Sequence, residues 1–169
     1  SVTFGEKVSL HLDGDIPQGK VSIVAVIGPV DATFIPLAGE VVSVGTGITF
    51  TGGFDKDAPP VIDSENRTIT WNIGEVLVDL GDASTPTVPM IFRGDFVLSD
   101  EGDGSGLVDG NVLNADATIS TELSSSSDAT TMVVVEPVVT AVGAGPNAPV
   151  DAGDFVNVTF TLSHDAAST

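Results

Sequence analysis

The sequence predicts an all-β protein, a two-sheet antiparallel β-sandwich, and three observations point there. Apolar residues alternate with a period of two, and no window keeps a helical pattern over three turns. The apolar set is rich in valine, and 19 Gly and 10 Pro punctuate it, as in strands joined by turns. Strand-like runs recur at short spacing with turn residues between them. At 169 residues and 41% hydrophobic content, the chain can bury the core of one domain plus a fragment of another.

The strands follow in order. Val8, Leu10 and Leu12 alternate with Ser9 and His11 as a first strand, and Asp13–Gly19 is a turn cluster. Lys20–Ile27 becomes apolar on both faces, so it is a central strand, broken by Pro29 and Asp31. Thr33–Leu37 is a short edge strand limited by Pro36. Glu40–Phe50 holds one or two strands around Gly45 and Gly47, and Gly52–Asn66 is a long acidic loop. From Arg67 to Val76, Ile69, Trp71 and Ile73 share one face and Thr68, Thr70 and Asn72 the other. Trp71 is the lone tryptophan in a chain without tyrosine, which makes it the largest side chain the core can bury. Val76–Leu80 is a further strand, with a turn over Gly81–Pro86. Thr87–Leu98 carries Pro89 near its start and is placed at an edge. Ser99–Asn111 is the most acidic glycine-rich loop, Val112–Thr121 a strand, and Ser124–Ser127 a serine loop. Met132–Val135 closes the domain before Glu136-Pro137.

Charge narrows the partners. Twenty-four acids against five bases leave a net −19, a field that repels nucleic acid and anionic membrane surfaces and favours divalent cations and solvation. No apolar run reaches the length of a membrane span, so no membrane insertion is expected. Without cysteine there is no disulfide and no thiolate site.

An internal repeat sets the domain boundary. Gly5-Glu6, Val8, Leu10 and Leu12 recur as Gly153-Asp154, Val156, Val158 and Phe160, 148 residues later. Residues 1–137 are therefore one repeat, and 138–169 a linker with the opening strands of the next. The first residues already follow a strand pattern, so the chain reads as part of a longer protein. If Val138–Val142 opens the second repeat, the equivalent strand of the first precedes residue 1. Residues 1–137 then form a sandwich with an exposed edge, and 138–162 are β-rich without partners of their own. The tail can satisfy that edge within the molecule or in a strand-swapped homodimer.

With these pieces in order, the chain resembles the DUF11-type, or conserved-repeat, Ig-like domains of large bacterial surface proteins. The resemblance is carried by Gly5-Glu6 with Val8 and Leu10, by Thr68 to Gly74 around Trp71, by Asn111 to Ile119, and by Val134 to Pro137 leading to Gly153-Asp154. The Asp-x-Leu-Pro-x-Gly element of that family is present only in degraded form, between Asp31 and Gly39. The resemblance implies an Ig-like sandwich, adjacent repeats of the same chain as neighbours, an extracellular or cell-surface location, and a non-catalytic spacer role. The rival reading is a carbohydrate- or partner-binding adhesive module, which needs an exposed aromatic groove.

The acidic loops are the candidate sites. Calcium takes six to eight hard oxygen ligands, and Asp100, Glu101, Asp103 and Asp109 offer short carboxylates among glycines. Asp55, Asp57 and Asp63, with Glu65, form a second acidic stretch, and Asp13 with Asp15 a third. Glu6, Glu136 and Asp154 would sit at a junction between repeats. No EF-hand loop spacing is present. Some relatives join a lysine to an asparagine or aspartate by an isopeptide bond, and Lys7 with Asn114 is the pair placed for it here. Lys7, out of phase with Val8 and Leu10, is expected to face solvent. His11 and His164 fit no catalytic spacing, and no catalytic residues are assigned.

Overall fold

Trp71 is 1% exposed, and the fold closes around it. The structure is a computed structural model that describes residues 5–31, 33–81, 86–99, 110–122, 124–134, 139–144 and 159–164. These residues contain strands and no helix. The strands are β1 (Lys7–Pro17), β2 (Gly19–Val30), β3 (Phe34–Val44), β4 (Ile48–Phe50), β5 (Val61–Asp63) and β6 (Thr68–Val78). Then come β7 (Thr87–Leu98), β8 (Val112–Thr121), β9 (Ser125–Val133), β10 (Val139–Ala144) and β11 (Thr159–His164).

All pairings are antiparallel. A three-stranded sheet runs β1-β7-β3, and a larger sheet runs β4-β6-β2-β8-β9 with β5 also on β6. The two pack face to face as an Ig-like sandwich, the all-β architecture the spacing predicts. Alternation decides the core: Val21, Ile23, Ala25 and Ile27 of β2 meet Met90, Phe92, Phe96 and Leu98 of β7 as buried residues of one cluster. Trp71 and Phe92 bring their rings to 5.2 Å across the gap. At Gly39 an added Cβ would stand 2.7 Å from Trp71 Cζ2, so β3 covers the indole there only as glycine.

Several elements differ from the sequence reading. Trp71 and Val76 lie on one strand, because the chain runs through Gly74 (φ 69°) as a bulge. Ile23 pairs with Gly74 and Val24 with Asn72, so Ile73 is the extra residue. The inward phase then shifts from Ile69, Trp71 and Ile73 to Val76 and Val78, and that break in alternation mimics a strand end. Strand β1 continues through Asp13–Pro17 opposite Ile91–Thr87, so only Gln18 separates it from β2. β7 is the centre of its sheet, not an edge. Pro89 sits past Val44–Met90, the last β3–β7 pair, where its missing N–H costs no ladder bond. Thr33–Leu37 is indeed at an edge, but β3 extends it to Val44. The serine run opens β9, a strand paired to β8 from Val133 back to Ser125. β10 and β11 pair with each other in a two-stranded sheet of their own, so these tail strands do have partners.

Candidate functional site

The acidic stretches are placed by turns. Asp55 Oδ1 accepts the Asp57 N–H at 3.0 Å, and Lys56 Nζ lies 2.6 Å from Asp57 Oδ1. That contact holds the exposed Lys56 ammonium above its ordinary pKa. Asp63, ending β5, accepts the Asn66 N–H at 2.9 Å and its amide at 2.8 Å. These bonds, the backbone one first, hold the Asp63 carboxyl below its ordinary value and close the β5–β6 turn. Among the described residues no three His, Asp or Glu side chains gather where they could hold one metal ion. Asp100, Glu101, Asp103, Asp109, Glu136 and Asp154 lie outside the described residues.

Lys7 and Asn114 do not meet. Asn114 on β8 is taken by Asp31, whose Oδ2 accepts its N–H at 2.7 Å, while the Asp31 N–H reaches the Asn114 carbonyl at 3.0 Å. Lys7 instead places Nζ 2.9 Å from Asp95 Oδ2, with its side chain 58% exposed and that of Asp95 only 5%.

Asp95 is the buried charge that sequence reasoning missed. In β7 it takes the outward phase, where an acid is expected to be wet. It sits on the middle strand, and its neighbours close over it. Ser9, directly opposite in register, donates its hydroxyl to Asp95 Oδ1 at 2.6 Å. Arg93 Nε stands 3.4 Å from the same oxygen without hydrogen-bond geometry, and Arg93 NH1 is 3.3 Å from Glu40 Oε1 on β3. Burial pushes the Asp95 pKa up, but the Ser9 hydroxyl, the Lys7 ammonium and the Arg93 guanidinium outweigh it and hold the carboxyl below its ordinary range. The arrangement ties all three strands of the small sheet on their outer face. Its one sequence signal is the pair of opposite charges Arg93 and Asp95, two residues apart on a strand with no other charged group.

The second feature is an open seam. Two clefts, of about 240 and 250 Å³, run along the outer edge of β1 between it and β8–β9. Their linings share Leu12, Asp13 and Asp128, with His11, Ala115 and Ala117 at one end and Asp15 and Ile119 at the other. β1 pairs with no described strand on that side. Nor is β9 covered: every residue of it but Met132 is exposed. A strand polar on both faces carries no alternation, which is why its serines read as a loop.

No family model matches the chain, and no curated protein does. Similar solved structures include the full-length major pilin SpaD from Corynebacterium diphtheriae, at 10% identity and a TM-score of 0.43, covering 89% of this chain and 36% of that one. Another is BcpA, the major pilin subunit of Bacillus cereus, at 9% identity and a TM-score of 0.40, covering 96% of this chain and 52% of that one. The chain thus spans roughly a third to a half of the length of these proteins, and no role passes from them to it.

Proposed function

We propose that the chain is a structural, non-catalytic repeat of a large extracellular bacterial surface protein, of the conserved-repeat Ig-like kind its sequence resembles. The observation that carries this reading is the internal repeat. The match to Gly5–Leu12 at an offset of 148 ends at Thr159 and Phe160, which open the strand β11, paired antiparallel with β10. Consecutive copies of one β-module are how chains build long spacers. The module suits tension: β1 is held to β7 over 11 register pairs, so a pull on its first residues loads the ladder in shear. Lys7, Ser9 and Asp95 brace the end where that load enters. The adhesive alternative needs an exposed aromatic groove, whereas Trp71 is buried and no described aromatic is among the exposed large hydrophobics. Pulled between residues 5 and 134, the sandwich should unfold in one cooperative step; gradual peeling of β1 at low force would sink the load-bearing role.

Calcium stiffening belongs to the same reading and rests on the −19 charge and the Asp100, Glu101, Asp103 and Asp109 loop. A thermal melt in millimolar calcium against EDTA, at fixed ionic strength, tests it. Calcium at a hundred times its dissociation constant adds about 2.7 kcal/mol, which is a rise of roughly 5–10 °C in a domain of this size. No rise, or an equal one with magnesium, leaves a spacer held by its core alone.

A further inference from the structure

We infer that the outer edge of β1 is a docking site for an extended strand, and that its occupant is the β10 segment, Val139–Ala144, of a second copy of this chain. Neither observation behind this depends on where the protein works.

The first is the unfinished sandwich. β1 lies over β2 and β8, with Ile119 of β8 packed so closely on Gly14 that a Cβ there would overlap its side chain. β7 and β3 continue away over β2 and β6, which leaves β9 with no described strand above it. One more strand beside β1 would lie over β9 and close the seam. The backbone is ready for it. Leu98 N–H bonds to the Glu6 carbonyl at 3.1 Å and Gln18 N–H to the Pro86 carbonyl at 3.0 Å, so even-numbered residues of β1 face β7. The N–H and C=O groups of His11, Asp13 and Asp15 therefore point out of the sheet along the two clefts.

The second observation is the register of the tail. Carried past its last matched position, Leu12 with Phe160, the repeat offset of 148 sets residues 159–164 against His11–Ile16, of which His11–Asp15 line the clefts. Residues 159–164 are β11, and β10 pairs with them: Val139 opposite His164, Val142 opposite Thr161, Ala144 opposite Thr159. Transferred to β1, the same pairing sets Val139 opposite Ile16, Ala141 opposite Gly14, Val142 opposite Asp13 and Ala144 opposite His11. A small residue then meets Gly14, where Ile119 leaves the least room. Charge agrees. The seam bears Asp13, Asp15 and Asp128, which repel an acidic strand from a chain this acidic, whereas Val139–Ala144 has no charge. The exchange replaces a ladder of six register pairs with an equivalent one and adds the covering of β9. Given reciprocally between two copies, it closes a symmetric dimer.

The chain has no cysteine, so the register can be trapped. Full-length chains carrying Asp13→Cys are mixed with chains carrying Val142→Cys and oxidised gently. Residues directly opposite on a hydrogen-bonded pair have Cα atoms about 5.5 Å apart, within reach of a disulfide. The expected result is a mixed disulfide dimer in at least tenfold excess over a mixture with Ala141→Cys, which the period of two turns to the other face. Equal yields from the two mixtures overturn the proposal. Sedimentation of the unmodified chain should show a concentration-dependent dimer that Val142→Pro abolishes while the sandwich melt is unchanged. A monomer throughout, or a dimer indifferent to that proline, overturns it as well.

Discussion

Asp95 keeps its charge at 4% residue exposure because Ser9 and Lys7 of β1 and Arg93 of its own strand stand against it. A buried carboxylate is stabilising only while its partners hold it ionised. Asp95→Asn keeps an acceptor oxygen for the Ser9 hydroxyl but removes the negative charge that the Lys7 ammonium and the half-covered Arg93 guanidinium face, so it should cost about 1–3 kcal/mol at neutral pH. The sign with pH follows from the depressed pKa. The contribution is complete above the ordinary value of 3.8 and disappears as pH falls through the lower folded-state value. Chemical denaturation of both proteins from neutral pH down to about pH 2 measures this. The gap between them should hold to roughly pH 5 and then close. A gap that persists at the acid end would mean that shape and not charge holds the site. Acid also relieves the repulsion of the −19 chain, but it does so in both proteins, so the difference isolates Asp95.

At the scale of elements, the bulge in β6 carries the design. Gly74 at φ 69° lets one strand present Ile69, Trp71 and Ile73 and then Val76 and Val78 to the same core. No atom lies within 4 Å of where its Cβ would be, so the constraint is on the backbone and not on space. Gly74→Ala should therefore destabilise by about 1–2 kcal/mol from the left-handed conformation alone, read as a lower melting temperature with an unchanged β spectrum. A neutral result would show that the bulge relaxes. β9 illustrates the opposite case, an element fixed by its neighbour: its ladder to β8 and not its own pattern makes it a strand.

At the scale of the molecule, charge and topology pull against each other. Four of the five bases stand in ion pairs with acids, Lys7, Lys20, Lys56 and Arg93, and the surplus is all carboxylate. Most of those pairs are exposed and contribute little, so the net effect of the field is self-repulsion. Raising sodium chloride from about 0.02 to 0.5 M shortens the screening length from about 20 Å to about 4 Å and should raise the melting temperature by several degrees. A fall would mean that the ion pairs outweigh the repulsion. The same repulsion opposes any acidic partner at the β1 edge, which is why an uncharged strand is the fitting occupant.

The sequence by itself determined the all-β class, the central place of β2, and Trp71 as the heart of the core, because period and side-chain size act within a single strand. It did not contain the length of β1 and β6, the interior position of β7, or the strand made from the serines. Those depend on which ladder a segment joins, and a bulge or a neighbour can override local alternation. Asp95 and the β1 seam were beyond it for the same reason. A carboxylate becomes buried, and an edge becomes open, only by what the other strands place beside it.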